Sequence, residues 1–194
     1  SQQLSGVAHY WTNDKLKFGR GAGPTRAPES TLDQTTPSDI YKGEISWIPN
    51  SDWVINALVS RSDGAFTLTP QGGSDADVFV DFDGVRRGSN FDFDQQATID
   101  QARLDVHTYF STGAANHELR FGGSYRKQQN ESGTVWPRGR LVFALDEALP
   151  GNTQLVSFPR DRNVEVESTY DSLWVADTVS LDRLTITGGL RYDK

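Results

Sequence analysis

Runs of ten or so residues in which apolar and polar side chains alternate are the feature that most restricts this chain. Period-two alternation places successive side chains on opposite faces of an extended strand. The clearest run, Ala97 to Ser111, puts Ala102, Leu104, Val106, Thr108 and Phe110 on one face. Gln101, Arg103, Asp105, His107 and Tyr109 fall on the other. The pattern recurs from Asp39 to Ile48, from Trp53 to Ser62, from His117 to Lys127 and from Leu184 to Asp193. Val164 to Val179 also reads as a strand, but Leu173, Val175 and Val179 share their side with Asp177, which leaves its faces open. Repeats at i, i+3, i+4 and i+7 are scarce, so the expected class is all-β.

The connections narrow the architecture. Tight turns are expected at Pro49–Asp52, Thr112–Asn116 and Ser180–Arg183. Between them lie long polar stretches rich in Gly, Pro, Asp, Asn and Arg, at Trp11–Ser38, Thr69–Gln96 and Gln128–Asn163. Short turns at one end and long loops at the other are the mark of a barrel whose rims face different compartments. The strands also exceed the usual ~5–6 residues. Aromatic residues gather near strand ends (Trp47, Trp53, Phe110, Tyr125, Tyr192), as in an interfacial girdle. The expectation is an antiparallel up-and-down transmembrane β-barrel segment, with residues 1–194 forming part of one barrel domain. Alternation alone also fits a sandwich, so a soluble all-β carbohydrate- or peptide-binding module is the alternative. No apolar run approaches the ~20 residues of a transmembrane helix, which bears on helical spans alone.

Composition excludes more than it assigns. A net charge of −7 argues against a nucleic-acid partner, which calls for a basic face. With no cysteine there is neither a disulfide framework nor a thiolate metal site. There is no methionine, even at position 1, and no basic-then-apolar leader. The chain is therefore expected to be a portion of a larger protein.

Chemical constellations are few. His9, His107 and His117 read as isolated, and no Gly-x-Ser-x-Gly elbow is present; no enzyme is predicted. His107 beside Asp105 and Arg103 fits acid–base work in principle, but a solvated polar cluster explains it as well. Gly19-Arg20-Gly21-Ala22-Gly23 runs into Pro24 with no helix after it, so it fails the context of a phosphate-binding loop. Asp75, Asp77, Asp81, Asp83, Asp92 and Asp94 make an acidic stretch, and Asp81-Phe82-Asp83-Gly84 is a fragment of a calcium loop without the closing glutamate. A solvated loop accounts for it without a metal. Trp11 and Trp136 are read as loop residues that pack loop against loop or grip a ligand. Val78–Val80 and Leu141–Leu145 are apolar patches within the long loops, read as strand extensions or small hairpins. No cofactor is implied.

The segment Leu173 to Asp193 carries a family likeness. Its Trp174-Val175-Ala176-Asp177-Thr178, its turn, its Leu184-Thr185 and its closing Gly189-Leu190-Arg191-Tyr192-Asp193 resemble a hairpin of TonB-dependent outer-membrane receptors. Gly19 to Gln34, Pro70-Gln71-Gly72-Gly73 and His117 to Gly122 are similar to the Oar-like subgroup, which bears a carboxypeptidase-regulatory-like domain. The resemblance implies a 22-stranded barrel closed by an N-terminal plug, of which this chain supplies about seven strands and no plug. It implies a place in the bacterial outer membrane, with lipid outside the wall. It also implies energised uptake of a ligand, with TonB acting through a plug outside this chain. The tight turns are then periplasmic and the long loops extracellular. Arg103, Asp105, His107, Glu118, Arg120 and Arg126 are the expected lumen-facing residues.

Overall fold

The structure is a computed structural model, and it describes residues 3–144 and 154–194. Seven long strands make one antiparallel meander: β1 (Gln3–Arg20), β2 (Leu32–Asn50), β3 (Trp53–Pro70), β6 (Asp92–Thr112), β7 (Ala115–Val135), β10 (Arg162–Leu181) and β11 (Leu184–Asp193). The strands lie in that order, each hydrogen-bonded to the next. Four short strands, β4 (Val78–Val80), β5 (Arg86–Gly88), β8 (Leu141–Ala144) and β9 (Gln154–Ser157), form a second sheet in the order β5-β4-β8-β9. In an antiparallel meander alternate connections fall at opposite ends. All three tight turns, at 51–52, 113–114 and 182–183, therefore lie at one end, and the long connections at the other.

The strands run further than the alternation alone indicates. β6 and β7 are 21 residues each, and much of the sequence expected as loop is strand. Trp11 to Arg20 continues β1, Leu32 to Ser38 begins β2, and Gln128 to Val135 completes β7. The expected loop Trp11–Ser38 contracts to 21–31, Thr69–Gln96 to 71–91 and Gln128–Asn163 to 136–161. The extensions of β2 and β7 are largely polar on both faces, and that of β1 alternates only briefly, at Lys15-Leu16-Lys17-Phe18, so they show no sustained period. Pro37, a poor ladder residue, sits inside β2, and the β2–β3 pairing lapses between Thr35↔Thr67 and Ser38↔Gly64 without changing register.

Register assembles the strand faces into two continuous surfaces, because residues directly opposite point the same way. One row crosses the wall through Ile45, Ala57, Leu104, Gly123, Leu173 and Tyr192. The next row toward the tight turns carries Trp47, Ile55, Val106, Phe121, Val175 and Leu190. Ile45, Leu104, Leu173 and Leu190 remain exposed, so this apolar face meets something other than protein among the described residues. On β6 it extends from Ala102 to Phe110, matching the ~9–11 residues a tilted membrane-crossing strand needs. Trp47, Trp53 and Phe110 mark its turn-side limit. Tyr10 and Tyr41, stacked at 4.9 Å, mark the other limit with Tyr125.

Beyond the tyrosines the same face becomes charged. Arg61 meets Asp63 at 2.7 Å and Asp100 at 3.7 Å, Lys127 meets Glu167 at 3.2 Å, and Tyr10 donates to Asp39 at 2.8 Å. From here the strands project roughly ten residues further, or about 30 Å at ~3.3 Å per residue. The wall is a single layer, and most of the buried residues lie instead where the long connections fold together. There Ala27, Leu32, Leu68, Val78 and Val142 are buried, with Ser30, Ser89 and Asn90 fully enclosed. The two apolar loop patches pair with each other: β4 runs parallel to β8, while β5 and β9 fold back on them. Leu145 lies outside the described residues.

Candidate lumenal face and loop cap

The opposite face of the wall is polar, and it gathers all six residues singled out from the sequence. Arg103, Asp105 and His107 alternate along β6, and Glu118, Arg120 and Arg126 along β7. The register sets His107 against Arg120 and Gln101 against Arg126, so the six share one side. Arg103 donates two hydrogen bonds to Asp105 at 2.6 and 2.9 Å. Arg120 donates to Glu118 at 2.8 Å. Arg126 stands apart and donates to Gln128 at 3.2 Å. These are exposed pairs two residues apart on one strand, and Lys42–Glu44 and Arg191–Asp193 repeat the motif on β2 and β11. Solvent screens such exposed pairs, so each contributes little to stability. Their effect is a densely charged, locally neutralised surface suited to water.

Trp174 is the centre of this face and was not singled out from sequence. Its neighbours Leu173 and Val175 belong to the apolar side, so parity alone sends the indole to the polar side. The Arg103 guanidinium lies 5.2 Å from its ring and that of Arg191 5.8 Å, within cation–π reach. A Cβ on Gly122 would stand 2.6 Å from Trp174 Cζ2, so glycine is what lets the indole lie flat on β7. Arg191 is fixed by Asp193 at 2.9 Å, and Ser172 donates to the same carboxylate at 2.6 Å. A belt Asp105–Arg103–Trp174–Arg191–Asp193 therefore spans four strands.

One sequence reading is corrected on the apolar face. His117 is not isolated: the 117↔179 and 119↔177 pairings bring it beside Asp177. His117 Nδ1 lies 2.7 Å from Asp177 Oδ2, and Nε2 lies 2.7 Å from Thr112 Oγ1. Phe110 stacks on the imidazole at 4.7 Å. Asp177 Oδ1 is buried without a partner, and Gly188 opposite leaves open space. The order hydroxyl–imidazole–carboxylate resembles a nucleophile chain, but acyl transfer also needs oxyanion donors. The backbone of β7 and β10 here is engaged in the sheet ladder. The group acts as a clip across β6, β7 and β10.

In the loop cap two carboxylates of the acidic stretch, Asp77 and Asp81, are tied to arginines. Asp77 accepts two hydrogen bonds from Arg140 at 2.7 Å, with Arg138 at 3.8 Å. The Arg140 hydrogen bond holds its carboxyl below the usual range. Asp81 accepts from Arg87 at 2.6 Å and from the amides of Val85 and Asp83, which depresses it likewise, Arg87 first. The calcium-loop fragment is thus an Asx turn closed by an arginine. Among the described residues no group of three or more His, Cys, Asp or Glu is placed to hold a metal. Trp136 packs loop on loop against Phe91 at 5.6 Å, whereas Trp11 lies on β1 rather than in a loop.

A single-layer antiparallel wall, apolar and exposed on one side, charged on the other and girdled by aromatics, defines a piece of a transmembrane β-barrel. The chain belongs to the TonB dependent receptor-like, beta-barrel family, whose match covers residues 3–194. Membership places it in the bacterial outer membrane, in a family of receptors rather than enzymes. The structure resembles the outer membrane transporter YddB from Escherichia coli, with a TM-score of 0.55 and 12% identity over 99% of this chain and 25% of that one. It also aligns with the siderophore receptor PiuA from Acinetobacter baumannii, with a TM-score of 0.48 and 14% identity over 100% of this chain and 33% of that one. The chain thus spans a quarter to a third of those proteins. No curated protein sequence matches it.

Proposed function

We propose that this chain is a wall segment of a TonB-dependent transporter that takes up a ligand across the outer membrane. The observation that carries the reading is the division of one sheet into a girdled apolar face and a charged face. In a barrel the first meets lipid and the second lines a hydrated lumen. Arg103, Asp105, His107, Glu118, Arg120 and Arg126 then line the lumen, joined by Trp174 and Arg191. Residues 1–194 belong to a single barrel domain of 22 strands. The remaining strands, a plug and its TonB contact come from chain outside this segment. The projecting strand ends and the loop cap form the extracellular mouth that captures ligand, and the Oar-like subgroup is the assignment its loop sequences favour.

This segment holds no cysteine, so once any cysteine elsewhere in the full-length protein is replaced, the lumen assignment is directly testable. In the full-length protein embedded in lipid, single cysteines at positions 118, 120 and 124 should react with a hydrophilic maleimide, and those at 119 and 121 should not. The reverse alternation would sink the assignment. The transport reading stands or falls separately, on whether ligand accumulation stops when TonB is removed.

A further inference from the structure

Of the six described arginines in the long connections, the five other than exposed Arg160 divide into two groups. Arg87, Arg138 and Arg140 each lie within 4.0 Å of a carboxylate. Arg26 and Arg86 take part in no ion pair among the described residues, and the backbone sets them side by side. Ala27 N donates to Arg86 O at 2.9 Å and Arg86 N to Thr25 O at 3.0 Å, which makes Arg26 and Arg86 direct partners in a parallel bridge. Like charges directly opposite on paired strands repel and destabilise. Both residues are half-buried. Burial, and then the Arg26 charge, push the Arg86 guanidinium below its ordinary range.

The surroundings hold the pair in place rather than relieve it. Arg86 donates to Asn90 Oδ1 at 3.2 Å, and fully buried Asn90 donates in turn to Ser30 O at 2.9 Å. The Ser30 hydroxyl, fully enclosed on the segment that Asn90 grips, has no hydrogen-bond partner. Arg26 folds back over its own turn. A Cβ on Gly21 would lie 2.6 Å from the Arg26 Nη1, and Gly21 itself adopts φ +83°, so glycine serves there twice. The Arg86 guanidinium, held by Asn90, and the Arg26 guanidinium, folded over Gly21, have no counter-charge among the described residues and present donors matched to an oxyanion.

We propose that Arg26 and Arg86 form a binding site for a phosphate-type oxyanion on the extracellular cap. The anion comes free from solution, because the cap stands a strand extension away from the aromatic girdle and any lipid headgroup beside it. Binding removes the mutual repulsion, so an occupied cap is more stable than an empty one.

The test uses the full-length protein, with inorganic phosphate titrated against chloride at constant ionic strength. Hydrogen exchange at the Ala27 and Arg86 amides reads the cap. Saturable protection by phosphate is expected in detergent. Arg26→Gln should weaken the effect at least about tenfold while making the phosphate-free cap more protected. Arg138→Gln should leave the effect intact. If Arg86→Gln prevents the cap from forming, Arg86→Lys keeps the charge without the fork and should bind more weakly than the parent. Absence of protection by phosphate, or equal protection in Arg26→Gln, would overturn the site.

Discussion

At the scale of the residue, the informative positions are those whose side-chain chemistry opposes their surroundings. Asp177 places a carboxylate on the apolar face, in the same cross-strand row as Trp53 and Leu119. A charge in that setting is costly unless paired, and His117 with Thr112 supplies the pairing. His117→Ala should cost about 1–3 kcal/mol by leaving the carboxylate without its donor. Changing both His117 and Asp177 to Leu should recover most of that loss, because no orphaned group remains. Urea unfolding of the full-length barrel in micelles measures both, and additive losses would show that the two residues do not act as a pair. The sequence held a trace of this clip. Asp177 broke the alternation of its strand, but its partner lies sixty residues away and only register brings it close.

At the scale of the element, the strands are divided into zones by what surrounds them. The outer face of β6 is apolar from Ala102 to Phe110 and polar from Asp100 back to Asp94. Alternation was legible only in the first zone, because lipid on one side and water on the other is what writes it. Where water bathes both faces, the chain stays in the sheet through backbone pairing, and the side chains carry no period. The same division predicts the cost of a charge. Leu104→Arg, near the middle of the apolar zone, should destabilise the barrel by about 2–4 kcal/mol, and Thr169→Arg, in the row of Lys127 and Asp100, by roughly 0–1 kcal/mol. Folding free energies in bilayers give the comparison, and equal costs would refute the placement of the boundary.

At the scale of the whole molecule, two parts are stabilised differently. The wall is one layer held by its ladder, with lipid as its outer neighbour, while the cap is a small core tied by arginine–carboxylate pairs. Hydrogen bonds from Arg140 and Arg87 hold Asp77 and Asp81 below the ordinary carboxylate range. Their contribution is complete above that range and is lost as pH falls through the lower folded-state values. Exchange protection of the Ser89 and Ala27 amides, corrected for intrinsic rates, should therefore drop as pH falls below the ordinary carboxylate range, while the β6–β7 ladder keeps its protection. Loss of both together would mean that the cap is not an independent unit. The all-β class, the tight turns, the girdled face and the side taken by Arg103, Asp105, His107, Glu118, Arg120 and Arg126 were determined by sequence alone. They depend on alternation and turn chemistry, which are local. The strand extensions, the β4–β8 pairing, the Trp174 belt, the His117–Asp177 clip and the Arg26–Arg86 pair were decided by tertiary structure. Each joins residues far apart in the chain, and only the cross-strand register and the folding of the loops upon one another bring such residues within reach.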